Sequence, residues 1–304
     1  MSKKEITKIR KTEINIIILL SVLFAVACTS SNKNEIDDPI DIYSIIKEDA
    51  STGIDVISLS GNNPIEVRKK IAEYEIPETT FEAKRKAFYS ILDALHNLKT
   101  TTGQSIYNTV DSLNYMAVHY LKNILTDKKS LSSPLKHKLL KRVSPYDKAI
   151  TVYFWEENLG VNMQTYICVF QYIGSNGEAY AVFNRDDDND EDFDFSQSQV
   201  IAIYKLSSES GNPLYLANFM GSHGSKNHFK GSMIFEIRKD ELFFDYDAFG
   251  GDTKYFFRNY TEGEILTTSF SYKTQELKYS FKSLNTIVET RFIFNGQIFE
   301  RQVD

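Results

Sequence analysis

The feature that most constrains the fold is a change in apolar pattern near residue 146. From residue 63 to about residue 143, apolar residues recur at helical spacing, whereas from Tyr146 onward Phe, Tyr, Val and Ile crowd short runs between Gly, Asn, Asp and Ser. Such runs are typical of antiparallel strands. No helix-length stripe interrupts them, which argues against a parallel doubly wound sheet. We therefore predict an α+β protein: a small N-terminal helical layer followed by a large antiparallel β-sheet domain, arranged as a sandwich or a partial propeller.

Breaking residues divide the helical region into short helices. Asn63 and Pro64 suit the N-cap and first turn of a helix that should end before Pro77. Thr79 and Glu82 have the spacing of a capping box. A third helix follows Gly103, and a short fourth one is predicted from Ser133-Pro134.

Turn residues divide the second half into twelve candidate strands. Asn176-Gly177 and Asn295-Gly296 are the strongest hairpin signals, and Lys239-Asp240 separates another pair. The candidate strands are 149–155, 163–173, 178–183, 200–206, 213–220, 231–238, 241–246, 254–258, 265–272, 277–282, 286–294 and 297–302.

The N-terminus has the pattern of a targeting signal. A segment with five basic residues precedes the apolar run 16–27, and about 12 apolar residues are too few to cross a ~30 Å hydrocarbon core as a helix. An ordinary secretory signal cleaved near Ala27 would explain this pattern. The ending Ala25-Val26-Ala27-Cys28 also resembles the lipobox of bacterial lipoproteins. That resemblance implies that residues 1–27 are removed and that Cys28 is diacylated. The polar residues 28–62 would then be a flexible tether.

Several strand and turn motifs recur through the second half. They are Tyr153-Phe154-Trp155-Glu156 with Gly160 and Met163, the paired runs 203–206 and 214–217, the runs 233–237 and 239–242, and the segment 291–299. Together these stretches resemble a group of secreted or lipid-anchored proteins of the Bacteroidetes. The resemblance runs from about Asp147 to the end of the chain and implies an antiparallel β module in a cell-envelope protein. The apolar pattern gives this β domain the bounds 146–304 and predicts a helical subdomain over residues 63–145. The resemblance implies no catalytic residue, because these motifs are strand and turn patterns.

The distribution of charge argues against nucleic acid as a partner and leaves an anionic lipid or polymer open. The chain has a net charge of −6, which argues against a nucleic-acid binder. Residues 1–27 hold five of the 35 basic and two of the 41 acidic residues, so a chain cleaved before Cys28 carries −9. Residues 64–145, by contrast, carry 14 basic and 8 acidic residues. That excess could attract the acidic second half or an anionic lipid or polymer. Its densest cluster contains Lys136, Lys138, Lys141 and Arg142.

No motif for catalysis or for metal binding is complete. The acidic run 186–194 lacks the Gly and Glu of a calcium loop, so we interpret it as a solvated loop, with weak calcium binding as the alternative. His223 and His228 have no obvious third metal ligand, and Met220 replaces the first Gly of a nucleophile elbow. With two cysteines there is no Cys-based zinc site, and Cys168 lies in an apolar run. We predict no catalytic residue, no metal and no cofactor.

The remaining candidates are ligand-binding residues. Asp245 and Asp247 beside Tyr246 have the composition of a glycosidase cleft and equally that of an ordinary turn. The 18 Tyr exceed what a core easily accommodates, so some should lie on an exposed sheet face and stack on a ligand such as a glycan. The predicted ligand-binding residues are Trp155, His223, His228, Asp245, Tyr246 and Asp247.

These observations predict a lipid-anchored protein of the bacterial cell envelope, at the outer membrane, with a non-catalytic binding or structural role. Its partners would be the membrane, through the anchor, and a glycan or another envelope protein. The alternative is a hydrolase of envelope polymer or glycan that uses the carboxylates near Asp245 and Asp247. A hydrolase needs convergent polar groups in a deep pocket, whereas a binding module needs a shallow aromatic face.

The lipid anchor can be tested with Cys28→Ser. Two acyl chains hold a protein at a bilayer where a single chain binds only reversibly, at about 0.8 kcal/mol per buried CH₂. The substituted protein should therefore move from the detergent phase of a phase-partition assay to the soluble fraction, or accumulate as uncleaved precursor. Normal processing together with membrane pelleting after a high-salt wash would contradict lipidation at Cys28.

Overall fold

The computed structural model describes residues 64–76, 80–98, 104–158, 164–183, 198–209, 211–250, 253–284 and 286–302. Among them, antiparallel β-sheet predominates. The helices are α1 (Pro64–Glu73), α2 (Phe81–Leu98), α3 (Gln104–Leu125) and α4 (Lys129–Ser132). The strands are β1 (Lys141–Val143), β2 (Ile150–Glu156), β3 (Tyr166–Ile173), β4 (Ala179–Phe183), β5 (Ser198–Lys205), β6 (Leu214–Ser222), β7 (Asn227–Arg238), β8 (Glu241–Phe243), β9 (Tyr255–Thr261), β10 (Ile265–Ser271), β11 (Glu276–Ser283), β12 (Thr286–Phe294) and β13 (Phe299–Gln302).

Each of the twelve predicted strands overlaps one of β2 to β13, although most of their ends differ. The helical region needs two corrections. The N-cap of α2 is Thr80, whose Oγ1 accepts a hydrogen bond from the Ala83 N–H at 3.2 Å. The cap therefore lies one residue after the predicted Thr79. The short helix predicted from Ser133 is wrong: α4 precedes it, and residues 141–143 pair with β2 as the edge strand β1. The spacing of Leu135, Leu139 and Leu140 is that of a helix, but the segment that carries them is irregular, and the Leu135 and Leu140 side chains are buried.

The chain divides into two compact units. The first unit lies within Met1–Thr79 and Thr101–Tyr115, and the second unit lies within Thr80–Thr100 and Met116–Asp304. In the first unit, Arg68 of α1 donates two hydrogen bonds to the Asp111 carboxylate of α3, at 2.9 and 3.3 Å. The Arg68 guanidinium also lies 4.2 Å from the centroid of the Tyr115 ring. These contacts fix α1 against the first half of α3. The predicted domain boundary after residue 145 stays a prediction.

Three antiparallel sheets make up most of the second unit. Sheet 1 has the order β1-β2-β3-β4, sheet 2 the order β5-β6-β7-β8 with β9 also paired to β7, and sheet 3 the order β10-β11-β12-β13. Both Asn-Gly turns are present, but only the glycines have positive φ, 77° at Gly177 and 103° at Gly296. Each Asn side chain instead accepts a backbone N–H two residues on, from Glu178 and from Gln297. The turns are therefore longer than two-residue type I′ turns.

Sheet 2 is buried on both of its faces. Alternate residues of β6 contact different neighbours: Tyr215, Ala217 and Phe219 join the core shared with sheet 1, whereas Leu214 and Leu216 join the core shared with sheet 3. This explains why β6 and β7 are buried over most of their length instead of at alternate residues. The sheets therefore stack in three layers, one more than a two-sheet sandwich contains.

The outer face of sheet 1 contacts helices of the same unit. Trp155 packs edge-on against Phe88 of α2, with ring centroids 6.1 Å apart. The buried Gln171 side chain donates to the Leu125 carbonyl at 2.7 Å and to Ser130 Oγ at 2.6 Å. Gln171 therefore satisfies a carbonyl left unpaired at the end of α3 and fixes that helix end on the sheet.

Between sheets 2 and 3 lies a small buried polar group. Ser232 Oγ donates to Asn218 Oδ1 at 2.6 Å and lies 2.6 Å from the Tyr279 hydroxyl. All three residues are at most 1% exposed. Buried polar atoms are costly when they are unpaired, so this contact favours one alignment of the two sheets over shifted ones.

Gly231 is required by the packing of β7. It lies directly opposite Phe219 of β6. A Cβ at this position would overlap the Phe219 ring and come within 2.7 Å of the Phe256 carbonyl oxygen.

Gly231→Ala should therefore lower the free energy of unfolding by about 1–3 kcal/mol, measured by chemical denaturation. Ser269→Ala, on the exposed face of β10, is the matched control and should change it by less than about 0.5 kcal/mol. Equal effects would contradict this account of Gly231.

Candidate functional site

The structure does not bring the six predicted ligand-binding residues into one place. Trp155 is 2% exposed and lies in the core against Phe88. Its prediction as a ligand-binding residue stays a prediction, but in this conformation its ring cannot be reached from solvent.

The two predicted histidines lie at the β6–β7 turn and face different aromatic rings. His223 stacks on Phe229 with centroids 4.6 Å apart, and His228 lies 5.4 Å from Tyr260. Because His228 and Phe229 are consecutive in a strand, their side chains point to opposite faces. The two imidazoles therefore lie on opposite sides of the hairpin. In the described part of the chain, no group of three or more His, Cys, Asp or Glu side chains could hold a metal ion.

Asp245, Tyr246 and Asp247 lie in the segment that follows β8. The Tyr246 hydroxyl donates to the Gln297 carbonyl at 2.7 Å, and Asp247 Oδ1 accepts the Thr253 N–H at 3.1 Å. Burial raises the pKa of Tyr246, and the Glu236 carboxylate adds to that increase. Asp245 is exposed. Tyr246 thus contacts the turn between β12 and β13, and Asp247 holds the backbone of its own turn region. Cys28, Asp252 and the acidic run 186–194 lie outside the described residues.

A different group of side chains forms an exposed aromatic surface. We call it the aromatic cluster: Tyr146, Tyr204, Phe270 and Tyr272. Tyr146 follows β1, Tyr204 is on β5, and the other two residues end β10 and begin its turn. The centroid of the Tyr204 ring lies 5.0 Å from that of Phe270 and 5.6 Å from that of Tyr272. The centroids of the Tyr146 and Tyr272 rings are 5.8 Å apart. Tyr146 is 73% exposed and Tyr272 45% exposed. The cluster therefore has an inner pair of half-buried rings, Tyr204 and Phe270, and an outer pair of accessible rings, Tyr146 and Tyr272.

The turn that carries Tyr272 is fixed by Gln275. The Gln275 side chain donates to the Tyr272 carbonyl at 2.8 Å and accepts the Ser207 N–H at 3.0 Å. Its backbone has a φ of 52°, a conformation that is uncommon for a residue with a Cβ. Strain of this kind persists only where the surroundings impose it. Tyr272 is therefore held in position before any ligand arrives.

The turn that carries Tyr146 is fixed by Asp147. The Asp147 carboxylate accepts hydrogen bonds from the Ala149 N–H at 3.2 Å and the Tyr215 hydroxyl at 3.1 Å. It also pairs with Lys205 Nζ at 3.0 Å. Lys148 in the same turn has a φ of 55°. Both outer tyrosines thus stand on turns that side-chain hydrogen bonds hold in place.

The same contacts explain the titration behaviour of the tyrosines at the site. Burial raises the pKa of Tyr215, and the Asp147 carboxylate raises it further by accepting the proton of the neutral hydroxyl. Burial also raises the pKa of Tyr204 and of Tyr272. At neutral pH these hydroxyls are protonated and can act as hydrogen-bond donors.

Chemically, this arrangement suits binding without catalysis. Two accessible rings give flat apolar faces with negative π density, and tyrosine hydroxyls add polar groups at their edges. Because Lys205 pairs with Asp147, the charged groups beneath the rings largely compensate each other. The site is therefore suited to a neutral ligand that has both apolar faces and hydroxyl groups.

Sequence reasoning identified the residue type but missed the location. Exposed tyrosines were expected on a sheet face, whereas Tyr146 and Tyr272 lie in turns. Pro145-Tyr146-Asp147-Lys148 is a sequence with clear turn residues, and an aromatic residue at a turn tip was the available signal. That this turn meets the β10–β11 turn depends on how the sheets stack.

The chain matches no protein-family model, and no curated protein is significantly similar to it. Among the described helices, none is both long enough and apolar enough to span a bilayer.

The raised tyrosine pKa values predict a loss of stability in alkali. Burial raises the pKa of Tyr172 to about 12, well above its ordinary value of 10.0, and the pKa of Tyr215 is raised likewise. Above pH 10, these hydroxyls ionise in the unfolded chain but keep their protons when folded. The unfolded chain then binds fewer protons, so the free energy of unfolding falls as pH rises, by up to about 1.4 kcal/mol per pH unit for each such tyrosine.

Denaturant titrations between pH 9 and pH 12 measure this slope. In Tyr215→Phe the fall should be shallower than in the unsubstituted protein, because one group with a raised pKa is gone. An identical slope in both proteins would show that Tyr215 does not titrate as its contacts require.

Proposed function

We propose that the protein is a lipid-anchored component of a bacterial cell envelope whose β-sheet region binds a glycan without catalysis, through the aromatic cluster. In this proposal the chain is an α+β protein in which helices cover the outer face of sheet 1. The single observation that carries the binding proposal is the pair of accessible rings, Tyr146 and Tyr272, on side-chain-fixed turns.

The anchoring part of the proposal is supported by the N-terminal sequence. Five basic residues, a short apolar run and Ala25-Val26-Ala27-Cys28 occur in the order of a lipoprotein signal. Residues 28–62 give the folded region a polar tether. We place the anchored protein at the outer membrane, and the proposal does not depend on which side it faces.

The choice of a glycan follows from the chemistry of the cluster. A sugar ring presents C–H bonds on its faces, which pack on the negative face of an aromatic ring, and hydroxyls on its rim, which hydrogen-bond to tyrosine. The outer rings are inclined to one another by 78°, so they offer two differently oriented faces. A bent polysaccharide chain could use both.

Binding is favoured over hydrolysis of the same polymer by the placement of the carboxylates. Asp147 already has three hydrogen-bond or ion-pair partners, and Asp247 accepts a backbone N–H of its own turn region. Carboxylates engaged in this way position the backbone. A glycosidase needs two carboxyl groups about 5–9 Å apart across a bound sugar.

Affinity electrophoresis tests the proposal. Native gels containing dextran, mannan or laminarin should retard the unsubstituted protein in at least one case, and Tyr146→Ala with Tyr272→Ala should weaken that retention by about tenfold, since an aromatic contact contributes about 0.5–1.5 kcal/mol. Phe257→Ala is the control, because Phe257 is 43% exposed but lies on β9 outside the cluster. Retention that survives the double substitution would contradict the assignment to this cluster, and release of reducing sugar would favour the hydrolase.

A further inference from the structure

A second surface of the same unit carries a concentrated positive charge. Between residues 128 and 142, the chain has six basic residues and no acidic residue, although its net charge is −6. We call these side chains the basic surface. All six are exposed: Lys128, Lys129, Lys136, Lys138, Lys141 and Arg142.

The basic surface belongs to an ordered segment held against sheet 1 and α2. The Tyr89 hydroxyl accepts the Lys136 N–H at 2.8 Å, and the His137 ring stacks on Tyr89 with centroids 5.1 Å apart. Burial raises the pKa of the Tyr153 hydroxyl, and the neighbouring Arg142 guanidinium and Leu135 backbone N–H partly offset that increase. The backbone of 135–142 is thus held by its apolar and polar contacts, while its lysine side chains are exposed.

Acidic side chains of the described residues neutralise only part of this charge. Lys128 pairs with Glu178 at 2.7 Å and Lys138 with Asp93 at 3.1 Å. Lys141 lies 5.9 Å from the Phe154 ring centroid, on the edge strand β1. Lys129 and Lys136 have no acidic partner among the described residues. Several ammonium groups therefore remain available to an external anion.

We propose that the basic surface contacts an anionic phospholipid surface and so orients the anchored protein. Charge complementarity favours this occupant: each Lys or Arg near an anionic bilayer adds attraction, and the gain accumulates over an extended open surface. Most of the cluster is lysine, whose flexible, point-like charge suits mobile headgroups better than one bidentate site. The proposal rests on the proposed function insofar as a lipid anchor keeps the chain beside the bilayer.

Lysine footprinting of the full anchored chain in vesicles tests this contact. The chain is incorporated into vesicles of phosphatidylcholine alone or mixed with phosphatidylglycerol, and its amines are acylated with N-hydroxysuccinimidyl acetate. Mass spectrometry then gives the acylation rate at each lysine. Lys129, Lys136 and Lys141 should react about threefold more slowly on the anionic vesicles. Salt at about 0.5 M should remove the difference, because it screens surface charges.

Matched lysines elsewhere provide the internal control. Lys226, Lys273 and Lys282 are exposed in other turns and strands of the same unit, and their rates should be equal on both kinds of vesicle. In a variant with Lys129→Gln, Lys136→Gln and Lys141→Gln, the protection of Lys138 should weaken. The corresponding Lys226→Gln, Lys273→Gln and Lys282→Gln variant should keep it.

The outcomes separate the two proposals. Flotation of the vesicles reports whether the chain is anchored, independently of acylation. Floating protein with equal rates on both vesicles would overturn the basic surface as a lipid contact while leaving the anchor intact. Slow acylation on both vesicles that salt reverses would indicate an anion within the chain itself and would also overturn the lipid contact. Protein that does not float would contradict the anchor instead.

Discussion

Burial of sheet 2 on both faces is the constraint on which the rest of the structure depends. Tyr215 and its neighbours on one face pack against sheet 1, and Leu214 and Leu216 on the other pack against sheet 3. A strand in this position can expose few polar side chains, so Asn218 and Ser232 must pair with each other and with Tyr279. It can also tolerate little extra volume, which is why Gly231 lies beneath the Phe219 ring. Stacking thus removes most of the apolar surface of sheet 2 from water and leaves recognition to the turns around it.

The aromatic cluster follows from that stacking. Tyr146 belongs to the segment that leads into sheet 1, Tyr204 to sheet 2, and Phe270 with Tyr272 to sheet 3. Only the packing of three sheets brings these residues within ring contact. Asp147 and Gln275 then fix the two turns, so that the backbone positions from which the accessible outer rings project are set. A surface preorganised in this way loses less backbone entropy when it binds a ligand.

Charged residues are unevenly distributed along the same unit. Seven acidic residues are concentrated in the run 186–194, and six basic residues are concentrated between residues 128 and 142. The basic segment contains only the one-turn helix α4 and the edge strand β1, so its charged side chains stay outside the core. The aromatic cluster and the basic surface differ in the chemistry that they offer, one suited to a neutral ligand and the other to anions. A protein tethered at a membrane could use both at once.

The sequence by itself determined the antiparallel strands, because these depend on local periodicity, and adjacent residues indicated the candidate signal before Cys28. The helix predicted after Ser133 is absent, because apolar spacing alone did not distinguish an irregular segment from a helix. Tertiary structure alone decided that Trp155 is core, that His223 and His228 lie on opposite faces, and that Tyr146 meets Tyr272. The physical reason is the same in each case: contact between residues distant in the chain depends on how the sheets stack, and period-2 patterning specifies the faces of a strand but not the partner that covers them.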